Sequence, residues 1–140
     1  MKVSLERTDD GFGMLAKAGN HKLRLDNAEE FGGKDGGFRP MQLMLISLAG
    51  CSAIDIILLL KRGRHKIRSY HSEVVASRRE EMPRIFNSIE LVITIDTDAS
   101  DAVLARAVEL TKTKYCSAFA VLEASVPVDL KLQRASKSRV

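Results

Sequence analysis

Apolar positions along the chain change their spacing several times, and each change marks an element. Lys2–Arg7, Gly13–Lys17 and Leu23–Asp26 are short stretches parted by the turn formers Asp9-Asp10-Gly11 and Gly19-Asn20, which predicts a three-stranded β-meander. From Met41 to Leu60 the sequence is nearly unbroken apolar, and Pro40 in front of it suits the first turn of a helix. Ile67–Ser77 and Ile85–Thr97 return to partial alternation and predict two long strands in a hairpin. Ser100 and Asp101 can cap a helix running to about Lys114, with Val103, Leu104, Ala107, Val108 and Leu110 on its apolar face. A short helix then starts at Cys116-Ser117 and carries Phe119, Val121 and Leu122, and Val126–Leu132 alternates as a closing strand. The order β-β-β-α-β-β-α-α-β lacks βαβ regularity, so the class is α+β. A single domain over 1–140 is expected, with a loose tail from about 134.

The central apolar helix decides the assembly. It is long enough for a membrane span, but Asp55 lies in its second half, where an aspartate costs roughly 2.5–3.5 kcal/mol on insertion scales. The chain has no second apolar span, and its remainder is β-patterned, so the expectation is a soluble protein with no membrane association. A helix that is apolar all round is buried all round. One small sheet can cover only part of that circumference, and Gly50, beside Ala49 and small neighbours, allows close approach of another backbone. A homodimer is therefore expected.

Composition narrows the function classes. At 45% hydrophobic and 29% charged, the chain is globular rather than disordered. The net charge of +4 is spread along the length, aromatics are 5%, and none interleaves with the densest basic run, Lys61–Lys66. That argues against a nucleic-acid binder and reads as cations at a helix exit. The Phe31–Phe38 loop holds four glycines but lacks the Lys-Ser/Thr ending of a phosphate loop, so it reads as a plain loop. Arg78–Arg84, dense in both charge signs, reads as solvated salt bridging. The N-terminus has no apolar signal core, and a cytoplasmic location is expected.

Two cysteines remain, and without an export signal they do not form a structural disulfide framework. Cys51 sits inside the central helix among small residues, Ala49-Gly50-Cys51-Ser52-Ala53, which leave room for a substrate or a second sulfur. Cys116 falls at the seam of two helices, where free N–H groups would favour thiolate. The competing reading is that both are buried small hydrophobes. There is no CxxC, and His21, His65 and His71 are too scattered to suggest zinc, so neither metal nor cofactor is expected. Asp55, four positions after Cys51, shares its helix face and is either a structural ion-pair partner or part of the site.

Pro40-Met41-Gln42-Leu43 opening the central helix, Gly50-Cys51 inside it and Tyr115-Cys116-Ser117 opening a late helix together resemble the osmotically inducible protein C and organic hydroperoxide resistance (OsmC/Ohr) family over nearly the whole chain. Gly50–Asp55 together with Ser77–Phe86 is most similar to its YhfA-like branch. The resemblance implies an intertwined homodimer and oxidative-stress thiol peroxidase chemistry. Cys51 would be the peroxidatic thiol and Cys116 the resolving one, acting on an organic hydroperoxide and recycled by an external dithiol. Family peroxidases hold the thiolate with a glutamate at the helix opening and an arginine. Here Gln42 stands at that opening and cannot supply the charge, a departure that favours a ligand-binding role, and Arg39 or an arginine of the Arg78–Arg84 cluster is the candidate cation in its place. The alternative on the same fold is a non-enzymatic protein whose cavity binds a small apolar or thiol ligand.

Overall fold

The computed structural model describes residues 1–136. The expected order of elements is found, in two compact units, Met1–Leu45 and Ile46 onwards.

In the first unit β1 (Ser4–Arg7), β2 (Met14–Ala18) and β3 (His21–Leu25) form the antiparallel meander, with Met14 paired to both Arg7 and Leu25. Tight turns are set by side chains; Asp9 accepts the N–H groups of Gly11 and Gly13 at 2.8 and 3.1 Å. The glycine-rich loop returns Phe38 to bridge Leu25. Its backbone cradles an anion, but an internal one. The buried Asp26 carboxylate accepts from the N–H groups of Asn27, Lys34 and Gly36 at 2.7, 3.1 and 3.0 Å. Gly33 is required there, because a Cβ would lie 2.0 Å from the Asn27 carbonyl oxygen.

Helix α1 (Pro40–Arg62) starts in the first unit and continues into the second. Gln42 reaches back so that its Oε1 accepts the Arg39 backbone N–H at 2.9 Å, half of a capping box that places Pro40 at the first helical position. Within the second unit α1 buries a four-residue stripe, Leu48, Ser52, Ile56 and Leu60, each fully inaccessible, while Ile46, Ile54 and Leu58 on the other side stay exposed. The burial on all sides expected from the sequence is therefore confined, in the single chain, to one stripe. By length and composition α1 could cross a membrane, but a core helix passes the same test, and this stripe is core packing.

The second unit is a mixed sheet in the order β4-β5-β6. β4 (Ile67–Arg78) and β5 (Phe86–Thr97) form the expected antiparallel hairpin, and β6 (Val128–Arg134) runs parallel to β5. A parallel neighbour demands a crossover, supplied by α2 (Asp101–Leu110) and α3 (Ser117–Glu123). β5 lies between two neighbours, and its alternate residues Ile89, Leu91, Ile93 and Ile95 make the centre of the core. Ser100 caps α2 as expected, accepting the Val103 N–H at 3.3 Å. Arg134 ends β6 and bonds the Asp101 carboxylate and the Thr97 and Ala99 carbonyls, so the strand persists through 134. The rest of the expected tail, 137–140, lies outside the described residues.

The β4–β5 connection differs from the expectation. Arg78 and Arg79 donate to the carbonyls of Arg84 and Pro83, both at 2.6 Å, and Arg84 donates to that of Arg79 at 3.4 Å. The cluster is thus tied by guanidinium-to-backbone bonds, and no ion pair joins its charges among the described residues.

Candidate active site

Two elements of the second unit converge on one spot. α1 presents Cys51 and, one turn on, Asp55, on a common face; Ser52 between them points into the core. The other contribution comes from the end of α2, where the sequence predicts plain helix to Lys114. Instead Thr111–Tyr115 form a single π-helical turn, closed by the Cys116 N–H donating to the Thr111 carbonyl at 3.0 Å. That turn ends at Cys116, whose extended backbone (φ −75°, ψ 101°) makes it the N-cap of α3. Its Sγ accepts the Phe119 N–H at 3.3 Å and lies 3.4 Å from the Ser52 hydroxyl.

The two sulfurs and a carboxylate oxygen of Asp55 all lie within 4.8 Å of one another. Both cysteines are free thiols, Cys51 half-buried and Cys116 buried. A rotamer change at either side chain moves a sulfur by a distance comparable with the gap to a disulfide bond length of about 2.05 Å. Of the expected site residues, Cys51, Asp55 and Cys116 are therefore brought together. Arg39 and Gln42 belong to the first unit and are engaged there, Arg39 with Asp35 at 3.1 Å and Gln42 with the Arg39 N–H.

Burial dominates the electrostatics. It pushes the Cys116 thiol up; the Ser52 hydroxyl and the Phe119 N–H pull the other way, and the neighbouring Cys51 sulfur adds to the rise. The expected thiolate preference from N–H groups at this helix start is present but outweighed. Burial also raises the Asp55 carboxyl, whose Oδ2 has no hydrogen-bond partner among the described residues. The chemistry available is that of two adjacent thiols, one disposed to keep its proton, beside a carboxyl that can hold one. Two sulfurs and an oxygen at this spacing are also a possible metal donor set, made up of Cys51, Asp55 and Cys116.

Sequence reasoning missed two contributors. Ser52 is the one polar member of the stripe Leu48, Ser52, Ile56, Leu60, and that spacing would have marked it as a buried hydroxyl in need of a partner. The π turn has a weaker trace, the helix-poor Thr111 and Thr113 just before Cys116.

Residues 32–131 match the family described as OsmC-like protein. Protein YhfA of Escherichia coli K12 is 41% identical over 90 residues, 64% of this chain and 67% of that protein. A crystal structure of a protein from Aquifex aeolicus VF5 matches with a TM-score of 0.83 at 26% identity, covering 96% of this chain and 95% of that one. An organic hydroperoxide resistance protein OsmC from Legionella pneumophila shares the fold at 18% identity, with a TM-score of 0.66 and coverage of 95% and 97%.

Proposed function

The chain belongs to the OsmC-like protein family, in the OsmC/Ohr group, and from that premise we propose that it is a thiol-dependent hydroperoxide reductase with Cys51 as peroxidatic and Cys116 as resolving residue. The observation that carries this reading is the approach of two free sulfurs to within 4.8 Å, one of them held toward its protonated form. The Cys51 thiolate attacks the terminal oxygen of an organic hydroperoxide. The O–O bond breaks, Cys51 takes the terminal OH as a sulfenic acid, and the alkoxide leaves and is protonated by water to the alcohol. The Cys116 sulfur then attacks the Cys51 sulfur, the hydroxyl departs as water with the Cys116 proton, and a disulfide remains. An external dithiol returns both thiols by exchange.

The working form in this reading is a cytoplasmic homodimer. Its support is the exposed apolar side of α1, where Ile54 is 68% accessible and a Cβ at Gly50 would meet nothing within 4 Å.

The deciding experiment is a stoichiometric cumene hydroperoxide pulse followed by intact-mass analysis and thiol counting. Wild type is expected to lose both thiols quickly, Cys116→Ser to accumulate an oxidised Cys51, and Cys51→Ser to stay reduced. Thiols that remain reduced in wild type refute the peroxidase and leave the ligand-binding alternative.

A further inference from the structure

We propose that Cys51, Asp55 and Cys116 form a binding site for a thiophilic divalent cation of the zinc class, held by two sulfurs and one carboxylate. The donor set is chemically suited, since zinc takes cysteine sulfur and carboxylate oxygen together and three protein donors leave one position for water. The geometry is nearly made. In a tetrahedral site with zinc–sulfur bonds of about 2.3 Å and zinc–oxygen bonds of about 2.1 Å, the donor atoms stand about 3.6–3.8 Å apart. The three here lie within 4.8 Å of one another, so closing on an ion needs movements of about 1 Å or less.

The backbone pre-arranges these donors. Cys51 and Asp55 come from successive turns of one helix, a chelating pair that needs no loop to order. Cys116 comes from a second element and is fixed by its own N–H bond to the Thr111 carbonyl. Ser52, 3.4 Å from the Cys116 sulfur, is placed to orient that ligand from the outer shell.

A separate observation points to a ligand. Asp55 Oδ2 is buried with no hydrogen-bond partner among the described residues, although a buried carboxylate oxygen ordinarily has one. A cation bound between the Asp55 carboxylate and the two sulfurs gives that carboxylate a charged partner. The proposal needs only these three side chains and does not depend on the peroxidase reading. It does have a consequence for that reading: sulfurs that ligate an ion cannot at the same time be joined in a disulfide, so the cation-bound and oxidised states exclude each other.

The test uses the reduced full-length protein, stripped with chelator and desalted, then titrated with zinc alone by calorimetry and with cobalt as a spectroscopic probe. About one equivalent is expected to bind, with thiolate-to-cobalt charge-transfer absorption, as three donors imply. Asp55→Asn should weaken zinc binding at least about 10-fold, and Cys51→Ser or Cys116→Ser should lose the two-sulfur spectrum. Zinc should also protect both wild-type thiols from maleimide, a readout that depends on no variant folding. Cobalt spectra without thiolate bands, Asp55→Asn binding equal to wild type, or maleimide rates indifferent to zinc each overturn the site. A protein that reduces peroxide yet ignores zinc overturns the cation proposal alone, and one that binds zinc but consumes no peroxide overturns only the peroxidase.

Discussion

Asp26 in the first unit and Asp55 in the second are both shielded carboxyls, and their surroundings drive them in opposite directions. Asp26 lies under the glycine-rich loop and takes three backbone N–H bonds; the Gly36 N–H contributes most, and together they hold its carboxyl below the usual range despite burial. Asp55 has one oxygen without a donor, and burial alone pushes it up. The difference separates architecture from chemistry. A saturated carboxylate is a structural pin whose charge is fixed, while a bare one beside two thiols can take a proton or an ion. The glycine-rich loop wraps a carboxylate that the chain itself supplies rather than a phosphate cradle's anion.

The most damaging way to break the Asp26 side is to disturb the loop that wraps it. Gly33→Ala places a Cβ 2.0 Å from backbone, which cannot swing away as a side chain would, and should lower the unfolding free energy by about 3 kcal/mol in urea. An unchanged midpoint would mean the loop does not need this close approach. Asp26→Asn should lower Tm by on the order of 5 °C at neutral pH. Because the folded carboxyl lies below its unfolded value of 3.8, the stability it contributes is present above that value and lost as pH falls through the folded one. The gap between wild type and variant should therefore shrink in acid, and a gap that is constant with pH would contradict the pinned-charge account.

How much of this was legible in the sequence varied with the physics. The element order could be read because spacing carried it: the β5 alternation, the Ser100 cap and Pro40 before the apolar run are local signals that tertiary packing did not override. The proximity of Cys51 to Cys116 could not be derived from spacing, since it depends on a crossover and a π turn. Only the family resemblance suggested that pairing. The sequence placed Asp55 on the Cys51 face but could not say whether a donor would reach it. It also misjudged Cys116, because N–H groups at a helix start are visible in sequence and desolvation is not. The Arg78–Arg84 run illustrates the same limit: composition shows charges, but only the turn geometry shows that guanidiniums bond carbonyls.

On the Asp55 side the first probe is the Ser52 hydroxyl, 3.4 Å from the Cys116 sulfur. Ser52 hydrogen bonding lowers the Cys116 thiol, so Ser52→Ala should push it further up and slow its alkylation about threefold at a fixed pH, measured in a Cys51→Ser background. Faster alkylation would mean that the thiol donates to Ser52 and that the bond stabilises the protonated form instead.

The smallest effect is the most direct contrast with Asp26. The folded Asp55 carboxyl lies above its unfolded value of 3.8, so its favourable contribution is complete below that value and is lost as pH rises through the folded one. An amide cannot ionise and escapes this loss. Relative to wild type, Asp55→Asn should gain on the order of 2 °C in Tm between pH 4 and neutral, with chelator present so that no ion stabilises the charged form. The Asp26→Asn difference runs the other way over the acid range, which makes the pair of profiles its own control for general charge effects. Parallel profiles for the two variants would show that the bare oxygen of Asp55 finds a partner in solution, and the distinction between a pinned and a reactive carboxylate would fall.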